Sequence, residues 1–250
     1  MNEWTLITGA SAGIGRELAK VFAANGFNLV LVARSEARLN QLARELESLH
    51  KIKVQCLPTD LAKPTAAIEL ARELGDTPVS VLVNNAGFGS FGPFAKTDRG
   101  LQIEMMQVNM VSLVELTHLL LPTMLRRGRG RILNVASTAA FQPWPLVSIY
   151  YATKAFVYSF SYALADELTG TGIRVTTLCP GMTRTEFFDR AGMRKRSWLM
   201  MEPRTVAEKA YRGLMKGKRV VIPGVMNQIG AFLAKRTPDR VTSAIVKRIH

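Results

Sequence analysis

The feature that most limits how this chain can fold is a glycine-rich turn close to its start. Gly9, Gly13 and Gly15 follow a short apolar segment, residues 4–7, and precede a helical pattern over residues 16–25. Glycine at such a turn lets the backbone come close to a pyrophosphate, which the N–H groups and the positive end of the helix dipole then bind. The pattern therefore favours a nucleotide site, although a purely structural strand-to-helix turn has the same glycines.

Apolar segments alternate with helical patterns along most of the chain. The segments that we interpret as strands after the first one are residues 28–32, 54–57, 79–83, 131–135, 174–179 and 219–222. Strands separated by helices are typical of an α/β fold with a doubly wound parallel sheet, in which ligands bind at the carboxyl ends of the strands. No linker, repeat or low-complexity run divides the 250 residues, so we expect one domain over residues 1–250.

The residues after the second predicted strand bear on which nucleotide binds. Arg34 follows this strand closely, and Arg38 lies one helical turn further on. In dinucleotide-binding folds an acidic residue here binds the 2′-hydroxyl of the adenosine ribose, whereas an arginine accommodates a 2′-phosphate. The sequence therefore favours NADP(H) over NAD(H). The alternative is that Arg34 is a solvated charge and that Glu36 binds the ribose.

Polar and small residues follow the later strands and share this edge of the predicted sheet. Asp60 follows the third strand, where an adenine ring would lie, and residues 84–87 follow the fourth strand. Amides and small side chains at a strand end leave space beside a cofactor, or form only a turn. Ser137 and residues 180–185 follow the next two strands, so all of these groups are expected at the same edge.

One helical pattern carries a phenol and an ammonium group four residues apart, Tyr150 and Lys154. On a helix these side chains share one face. A tyrosine normally loses its proton near pH ~10, so it needs a neighbouring positive charge to act as an acid or base at neutral pH. Lys154 is placed to supply that charge, although similar pairs also occur on solvated helices. Tyr151 has no lysine four residues further on.

Together these motifs resemble the short-chain dehydrogenase/reductase family, in its single-domain branch. The resemblance implies a Rossmann-type sheet of about seven strands and hydride transfer between a nicotinamide cofactor and a carbonyl or alcohol. One departure is Ala140, where many relatives have glycine. The matching residues follow the family's order and spacing, and they are Thr8, Gly9, Gly13, Gly15, Asp60, Asn84, Asn85, Ala86, Gly87, Asn109, Ser137, Tyr150, Lys154, Pro180, Gly181 and Thr185.

The same resemblance implies a role for each matching residue. Tyr150 is then the general acid/base, and Ser137 holds the substrate oxygen. Lys154 binds the nicotinamide ribose and lowers the pKa of Tyr150, while Asn109 holds a water that links Lys154 to solvent. The residues expected at the cofactor are Gly9, Ser11, Gly13, Ile14, Gly15, Arg34, Arg38, Asp60, Leu61, Asn85, Ala86, Gly87, Tyr150, Lys154, Pro180, Gly181, Thr183 and Thr185.

Residues 183–203, where the family places its substrate loop, combine two Phe, one Trp and three Met with cationic side chains. Flexible apolar side chains suit a lid over a hydrophobic substrate, although a loop packed on its own core or on a partner subunit has a similar composition. We expect a hydrophobic ketone, aldehyde or 3-oxoacyl substrate, with acid groups tolerated. The candidate substrate residues are Ser137, Gln142, Trp144, Leu146, Phe187 and Phe188.

The positive charge of the chain is concentrated near its end. Residues 1–183 contain 17 Lys and Arg against 14 Asp and Glu, whereas residues 184–250 contain 16 against 5. This excess forms a solvated basic surface, or it attracts an anionic substrate, a membrane surface or nucleic acid. Residues 241–249 have the pattern of a basic amphipathic helix, which suggests a peripheral membrane reductase as an alternative. No nucleic-acid motif is present.

Other features indicate a cytoplasmic enzyme without a metal. Residues 4–7 run directly into the glycine turn and not into a secretory signal. Cys56 and Cys179 lie in predicted strands, as free thiols of a reduced compartment do, and no cluster of Cys and His indicates a metal. Polar residues interrupt the apolar segment 105–125, which favours a buried amphipathic helix over a membrane span.

The family resemblance also bears on assembly and on turnover. It implies a homodimer or homotetramer that pairs through the helices carrying Asn109 and Tyr150. A cofactor-binding sensor without turnover is a further alternative. Such a protein would be expected to lose the tyrosine or the lysine, and this chain retains both Tyr150 and Lys154.

Overall fold

The computed structural model describes residues 3–187, 191 and 200–237. In this part of the chain, seven parallel strands form one sheet in the order β3-β2-β1-β4-β5-β6-β7. The order reverses direction at β1, which creates the crevice where doubly wound sheets bind ligands. The predicted Rossmann-type sheet is therefore confirmed. Its strands are β1 (Trp4–Thr8), β2 (Asn28–Ala33), β3 (Val54–Pro58), β4 (Val79–Asn84), β5 (Gly130–Val135), β6 (Ile173–Leu178) and β7 (Val220–Val221).

Helices cover both faces of this sheet. They are α1 (Gly13–Ala24), α2 (Glu36–His50), α3 (Ala66–Leu74), α4 (Arg99–Met106), α5 (Ser112–Arg126), α6 (Ser148–Glu167), α7 (Pro203–Met215) and α8 (Val225–Ala234). A π-helical turn, Gln107–Val111, divides the single helix predicted over residues 98–126 into α4 and α5. Helix α1 begins three residues earlier than the apolar pattern indicated, because its first turn is the glycine turn itself. Helix α8 was not predicted.

The strands bury apolar side chains on both faces, which explains their continuous apolar runs. On one face Ile7 and Leu31 pack with α1 and α7, where the rings of Phe22 and Tyr211 meet edge to face with centres 5.1 Å apart. The opposite face packs against α3, α5 and α6. The sheet therefore lies between two helical layers, and its carboxyl edge is left for a ligand.

Buried polar side chains connect the centre of the sheet to α5 and α6. The Asn84 amide donates to Asn134 Oδ1 over 2.9 Å and to Thr117 Oγ1 over 3.1 Å. The Asn134 amide in turn donates to Ser161 Oγ over 2.9 Å. Since buried polar groups are costly to leave unpaired, these bonds fix α6 relative to β4 and β5.

One helical stretch in the described part of the chain, Arg99–Arg126, is long and apolar enough by length and composition to cross a membrane. One third (33%) of its most apolar window is buried inside the protein, with Leu116 and Met124 in the core. Leu119 and Leu125 are exposed. The stretch therefore divides its apolar residues between the core and the surface, as a core helix of a globular protein also does.

Candidate active site

The glycine turn between β1 and α1 has the shape expected of a phosphate cradle. Gly9 and Gly13 have positive φ angles of 66° and 54°, a conformation that favours glycine. A Cβ on Gly13 would lie 2.9 Å from the Thr185 side chain, and one on Gly15 would collide with the Gly9 carbonyl oxygen. Any larger residue at these positions would therefore distort the turn.

The first turn of α1 is open to an anion. Ala12 occupies the N-cap position, where no side chain accepts a hydrogen bond from the helix, and the first turn contains no acidic residue. The N–H groups and the helix dipole thus favour a phosphate group at this end. Ser11 and Ile14 are half-buried in the same turn. These residues fit the pyrophosphate of a dinucleotide cofactor.

Asn85 fixes the end of β4 to this turn. Its side-chain amide donates to the carbonyl oxygen of Thr8 over 2.8 Å, and its main-chain N–H donates to Thr8 Oγ1 over 3.0 Å. The N–H of Ala86 donates to the same hydroxyl over 2.9 Å. Asn85 therefore holds the cradle in shape. Gly87 is exposed, and a Cβ on it would be 3.3 Å from Lys154 Nζ.

The residues predicted around the adenosine lie at the ends of β2 and β3. Arg34 directly follows β2 and is exposed. The Arg38 guanidinium donates to both carboxylate oxygens of Glu186 over 3.1 Å, so this predicted cofactor residue is tied to the substrate loop. Asp60 accepts a hydrogen bond from the Ala62 N–H over 3.1 Å. Leu61 is buried, and its carbonyl oxygen accepts from Ser112.

The predicted catalytic pair lies at the start of α6. The Lys154 side chain is buried, and its ammonium group donates to the carbonyl oxygen of Val135 over 2.9 Å. Its Nζ atom lies 5.8 Å from the centre of the Tyr150 ring. Burial lowers the pKa of Lys154 to about 8, and the neighbouring Cys179 thiol opposes this effect. The ammonium group is thus held by the end of β5.

Burial raises the pKa of Tyr150 above its usual range, and a hydrogen bond with Ser137 opposes the increase. This direction differs from the sequence expectation, in which Lys154 lowers the pKa of Tyr150. The physical reason is that burial is the largest contribution, while the Lys154 ammonium group is bound to a carbonyl oxygen and not to the phenol. At neutral pH the phenol therefore carries its proton.

Asn109 lies in the π-helical turn and is fully bonded to protein groups through its side chain. Its Oδ1 accepts from the Phe88 N–H over 3.1 Å, and its amide donates to the Phe88 carbonyl over 3.0 Å and to Thr153 Oγ1 over 3.1 Å. Thr153 donates to the carbonyl oxygen of Tyr150 over 2.7 Å. The sequence analysis did not predict this role of Thr153. The sequence signal that could have indicated it is a hydroxyl directly before Lys154. The proposed water on Asn109 stays a prediction.

On the substrate side, Phe187 lies against Tyr150, with ring centres 5.2 Å apart. Ser137 accepts a hydrogen bond from the Ala139 N–H over 3.1 Å at the start of a short 3₁₀ segment, Thr138–Phe141. Gln142 ends that segment and is half-buried, and Trp144 contacts the ring of Tyr151. The structure thus brings Ser137 and Phe187 to the phenol of Tyr150, while Trp144 lies beside Tyr151.

The two ends of the predicted lid, residues 183–203, are joined by main-chain hydrogen bonds. Met201 donates to the Met182 carbonyl over 2.9 Å, and Arg184 donates to the Met201 carbonyl over 2.9 Å. Thr183 is buried, and its hydroxyl donates to the Gly181 carbonyl over 3.0 Å. Phe188 and most of the lid lie outside the described residues. The loop therefore begins and ends at one fixed position beside Pro180.

Leu146 adds a feature that the sequence pattern could not show. Its φ angle is 66°, a conformation that is strained for a branched side chain. Its carbonyl oxygen accepts a hydrogen bond from the Gly92 N–H over 2.8 Å. Leu146 also lines a cavity of about 10 Å³ together with Ser90 and Ile149. The strained residue thus joins the loop after β4 to the start of α6.

A Rossmann-type sheet with a glycine cradle binds dinucleotides, and the half-buried phenol of Tyr150 beside it can exchange a proton with a substrate. The molecule therefore has the parts of a nicotinamide-dependent oxidoreductase. A family model described as "short chain dehydrogenase" matches residues 3–195, and the chain belongs to this family. The family predicted from the motifs is thus confirmed.

Individual relatives and solved structures agree with this assignment. A sulfoacetaldehyde reductase of Chromohalobacter salexigens is 42% identical over 189 residues, which are 75% of each chain. A very-long-chain 3-oxoacyl-CoA reductase of Phaeosphaeria nodorum is 36% identical over 80% of this chain and 60% of its own. A short-chain dehydrogenase from Sphingobium yanoikuyae in complex with NADPH has a TM-score of 0.87 and 34% identity, covering 94% of this chain and 93% of the other.

The protein is therefore an oxidoreductase that acts on CH–OH groups and the corresponding carbonyls of small molecules with a nicotinamide cofactor. The predicted reaction type is confirmed. When bound, the cofactor supplies or accepts the hydride, and the cradle of Gly9, Gly13 and Gly15 is suited to hold its pyrophosphate.

Proposed function

We propose that the protein is an NADPH-linked reductase of a hydrophobic ketone, aldehyde or 3-oxoacyl compound. The observation that carries this proposal is the contact between Phe187 and Tyr150, whose ring centres are 5.2 Å apart. An aromatic wall beside the proton donor favours an apolar group next to the substrate carbonyl. The names of the two curated relatives both describe reductases of carbonyl compounds, which supports the direction of the reaction.

The protonation states in the site support reduction. Burial raises the pKa of Tyr150, so the phenol keeps its proton at neutral pH and is in the form that can donate one. We assign the proton that reaches the substrate oxygen to Tyr150, and a hydrogen bond to the same oxygen to Ser137. The positive charge of Lys154, 5.8 Å from the ring centre, then stabilises the phenolate that remains.

The position of Arg34 supports a preference for NADPH. Arg34 is exposed at the end of β2, where a 2′-phosphate would lie in a Rossmann-type site. No acidic residue stands at this strand end. The first acidic residue after β2 is Glu36, in the first turn of α2. Arg38 is paired with Glu186, so we assign the phosphate contact to Arg34 and a loop-anchoring role to Arg38.

We also propose that the enzyme is a cytoplasmic homodimer or homotetramer. The apolar residues Ile103 on α4, Val111 in the π-helical turn and Phe156 on α6 are 49%, 41% and 41% exposed, and pairing of these helices between subunits would cover them. The free thiols Cys56 and Cys179 support a reduced compartment. Sedimentation velocity of the purified protein tests the assembly, and a monomer would contradict it.

The test of the proposed reaction is NADPH oxidation, followed by absorbance, with a panel of ketones, aldehydes and 3-oxoacyl thioesters of increasing chain length. We expect kcat/KM to rise with apolar chain length. Phe187→Ala should reduce this dependence, because it removes the aromatic wall, and should leave the affinity for NADPH unchanged. Turnover that is confined to short polar substrates would contradict the hydrophobic class.

A further inference from the structure

Helix α8 exposes an apolar face to solvent. The exposed residues share one side of the helix, because their spacing follows its period of 3.6 residues. They are Val225 (70% exposed), Met226 (76%), Ile229 (47%), Phe232 (54%) and Leu233 (56%). Large apolar side chains exposed together on one helix face are unusual on a globular protein and often mark a docking site. We call these five residues the α8 patch.

The inward side of α8 fixes this orientation. The Asn227 amide donates to the Pro223 carbonyl over 2.7 Å, and its side chain occupies the space beside Gly181. Ala231, one helical turn further on, is 4% exposed. A small and a polar residue therefore face the protein, while the large apolar residues face outward. This is the reverse of an ordinary surface helix.

Two cationic residues, Lys235 and Arg236, directly follow helix α8. By sequence alone, residues 209–250 contain ten Lys and Arg and a single acidic residue, Asp239. Arg236 stacks on the ring of Phe232, with its guanidinium carbon 3.6 Å from the ring centre. Lys235 donates to the Tyr158 hydroxyl over 2.7 Å and lies over the ring of Phe141. Cationic groups thus border the apolar face at the end of the helix.

We propose that the α8 patch docks on an anionic lipid bilayer, with its apolar residues in the headgroup boundary and the basic residues on lipid phosphates. Apolar burial and attraction to anionic lipids together are what bind interfacial helices. A second copy of the chain is the less favoured occupant, because pairing the patch with itself would bring two cationic segments together. Charge complementarity therefore selects the anionic surface.

The inward side of helix α8 lies beside segments that flank the active site. Helix α8 packs against the 3₁₀ segment Thr138–Phe141, which follows Ser137, and Asn227 touches Gly181. A bilayer at this face would lie next to the edge of the sheet where substrate enters. The docking itself does not depend on the proposed substrate, so either can fail without the other.

The test is co-sedimentation of the full-length protein with vesicles of phosphatidylglycerol and phosphatidylcholine, and with vesicles of phosphatidylcholine alone. We expect binding to the anionic vesicles that weakens as salt rises, and little binding to the neutral ones. The double variant Met226→Ser/Phe232→Ser should bind about tenfold more weakly, and Arg236→Gln should bind less strongly than the wild type. Leu49→Ser/Ile68→Ser, which alters exposed apolar residues on α2 and α3, is the matched control and should bind like the wild type.

Absent binding to anionic vesicles, or equal binding by both double variants, would overturn the proposal. So would a lower oligomeric state of Met226→Ser/Phe232→Ser in sedimentation velocity, without any vesicle binding by the wild type, because the patch would then be a subunit interface. Turnover of a soluble ketone by this variant should equal that of the wild type, since neither residue lies in the catalytic site. That measurement separates loss of docking from loss of folding.

Discussion

The hydroxyl of Thr153 accepts a hydrogen bond from the side-chain amide of Asn109 over 3.1 Å, in a fully buried position. The same hydroxyl donates to the main-chain carbonyl of Tyr150 over 2.7 Å. Asn109 is also paired with both main-chain groups of Phe88. Thr153 therefore joins the π-helical turn, the loop after β4 and the helix that carries the tyrosine, which makes it a positioning residue.

Thr153→Val removes this hydroxyl at nearly constant volume. We expect the free energy of unfolding to fall by about 1–3 kcal/mol, because the Asn109 amide loses an acceptor in a buried site. We also expect kcat to fall about tenfold at unchanged affinity for NADPH, since a small displacement of Tyr150 weakens proton transfer. Urea unfolding and steady-state kinetics measure the two effects. Thr153→Ser keeps the hydroxyl and should have the stability and the kcat of the wild type. A variant that is less stable but has normal kcat would show a purely structural role.

The adjacent phenols Tyr150 and Tyr151 allow a matched test of the proton donor. Tyr150→Phe removes the hydroxyl to which we assign the proton transfer and should lower kcat by about 10²–10⁴-fold. Tyr151→Phe should retain most of the activity, because the Tyr151 ring packs on Trp144 and has no lysine four residues further on. Single-turnover absorbance of NADPH is the measurement. Equal rates for wild type and Tyr150→Phe would refute the assigned chemistry.

The buried ammonium group of Lys154 predicts a pH dependence of stability in the cofactor-free protein. Its pKa is about 8 in the folded state, below the value of 10.5 for an exposed lysine. Between these values the unfolded chain binds more protons than the folded one, so this group makes the protein more stable as pH rises. Below pH 8 the buried charge of Lys154 lowers the free energy of unfolding by its full amount, about 3 kcal/mol.

The comparison that isolates this effect is Lys154→Met. From pH 8 towards pH 10, the free energy of unfolding of the wild type should rise relative to that of the variant. Urea unfolding at a series of pH values gives this difference directly. A difference that stays constant, or that falls with pH, would show that the ammonium group is not buried as described.

The strands and the cradle were predictable because they depend on local signals. Continuous apolar runs mark strands that are buried on both faces. The positive φ angles at positions 9 and 13 favour glycine, so Gly9 and Gly13 indicate the turn. Parallel topology then places the residues after each strand at one edge. Ser137 was predicted in this way, Tyr150 from its spacing to Lys154 on one helix, and Asn109 from the family's spacing.

Other features depend on long-range contacts that a pattern does not contain. The pairing of Arg38 with Glu186 joins residues 148 positions apart, and the role of Thr153 depends on the helix that Asn109 occupies. Burial raises the pKa of Tyr150, and the sequence pattern indicates only the neighbouring charge of Lys154 and not this burial. Helix α8 was missed because its apolar residues do not face a core.

Arg34 decides the proposed preference for NADPH, and its effect can be separated from that of general charge. Arg34→Ala should raise the KM for NADPH about tenfold and leave the KM for NADH nearly unchanged, because only the former carries a 2′-phosphate. Arg44→Ala removes another exposed arginine of the same region, on α2, and should change neither value. Steady-state kinetics with both cofactors at low and physiological salt provide the measurement. If Arg34→Ala weakens both cofactors equally, the arginine contributes only a diffuse positive field, and the preference must come from another residue.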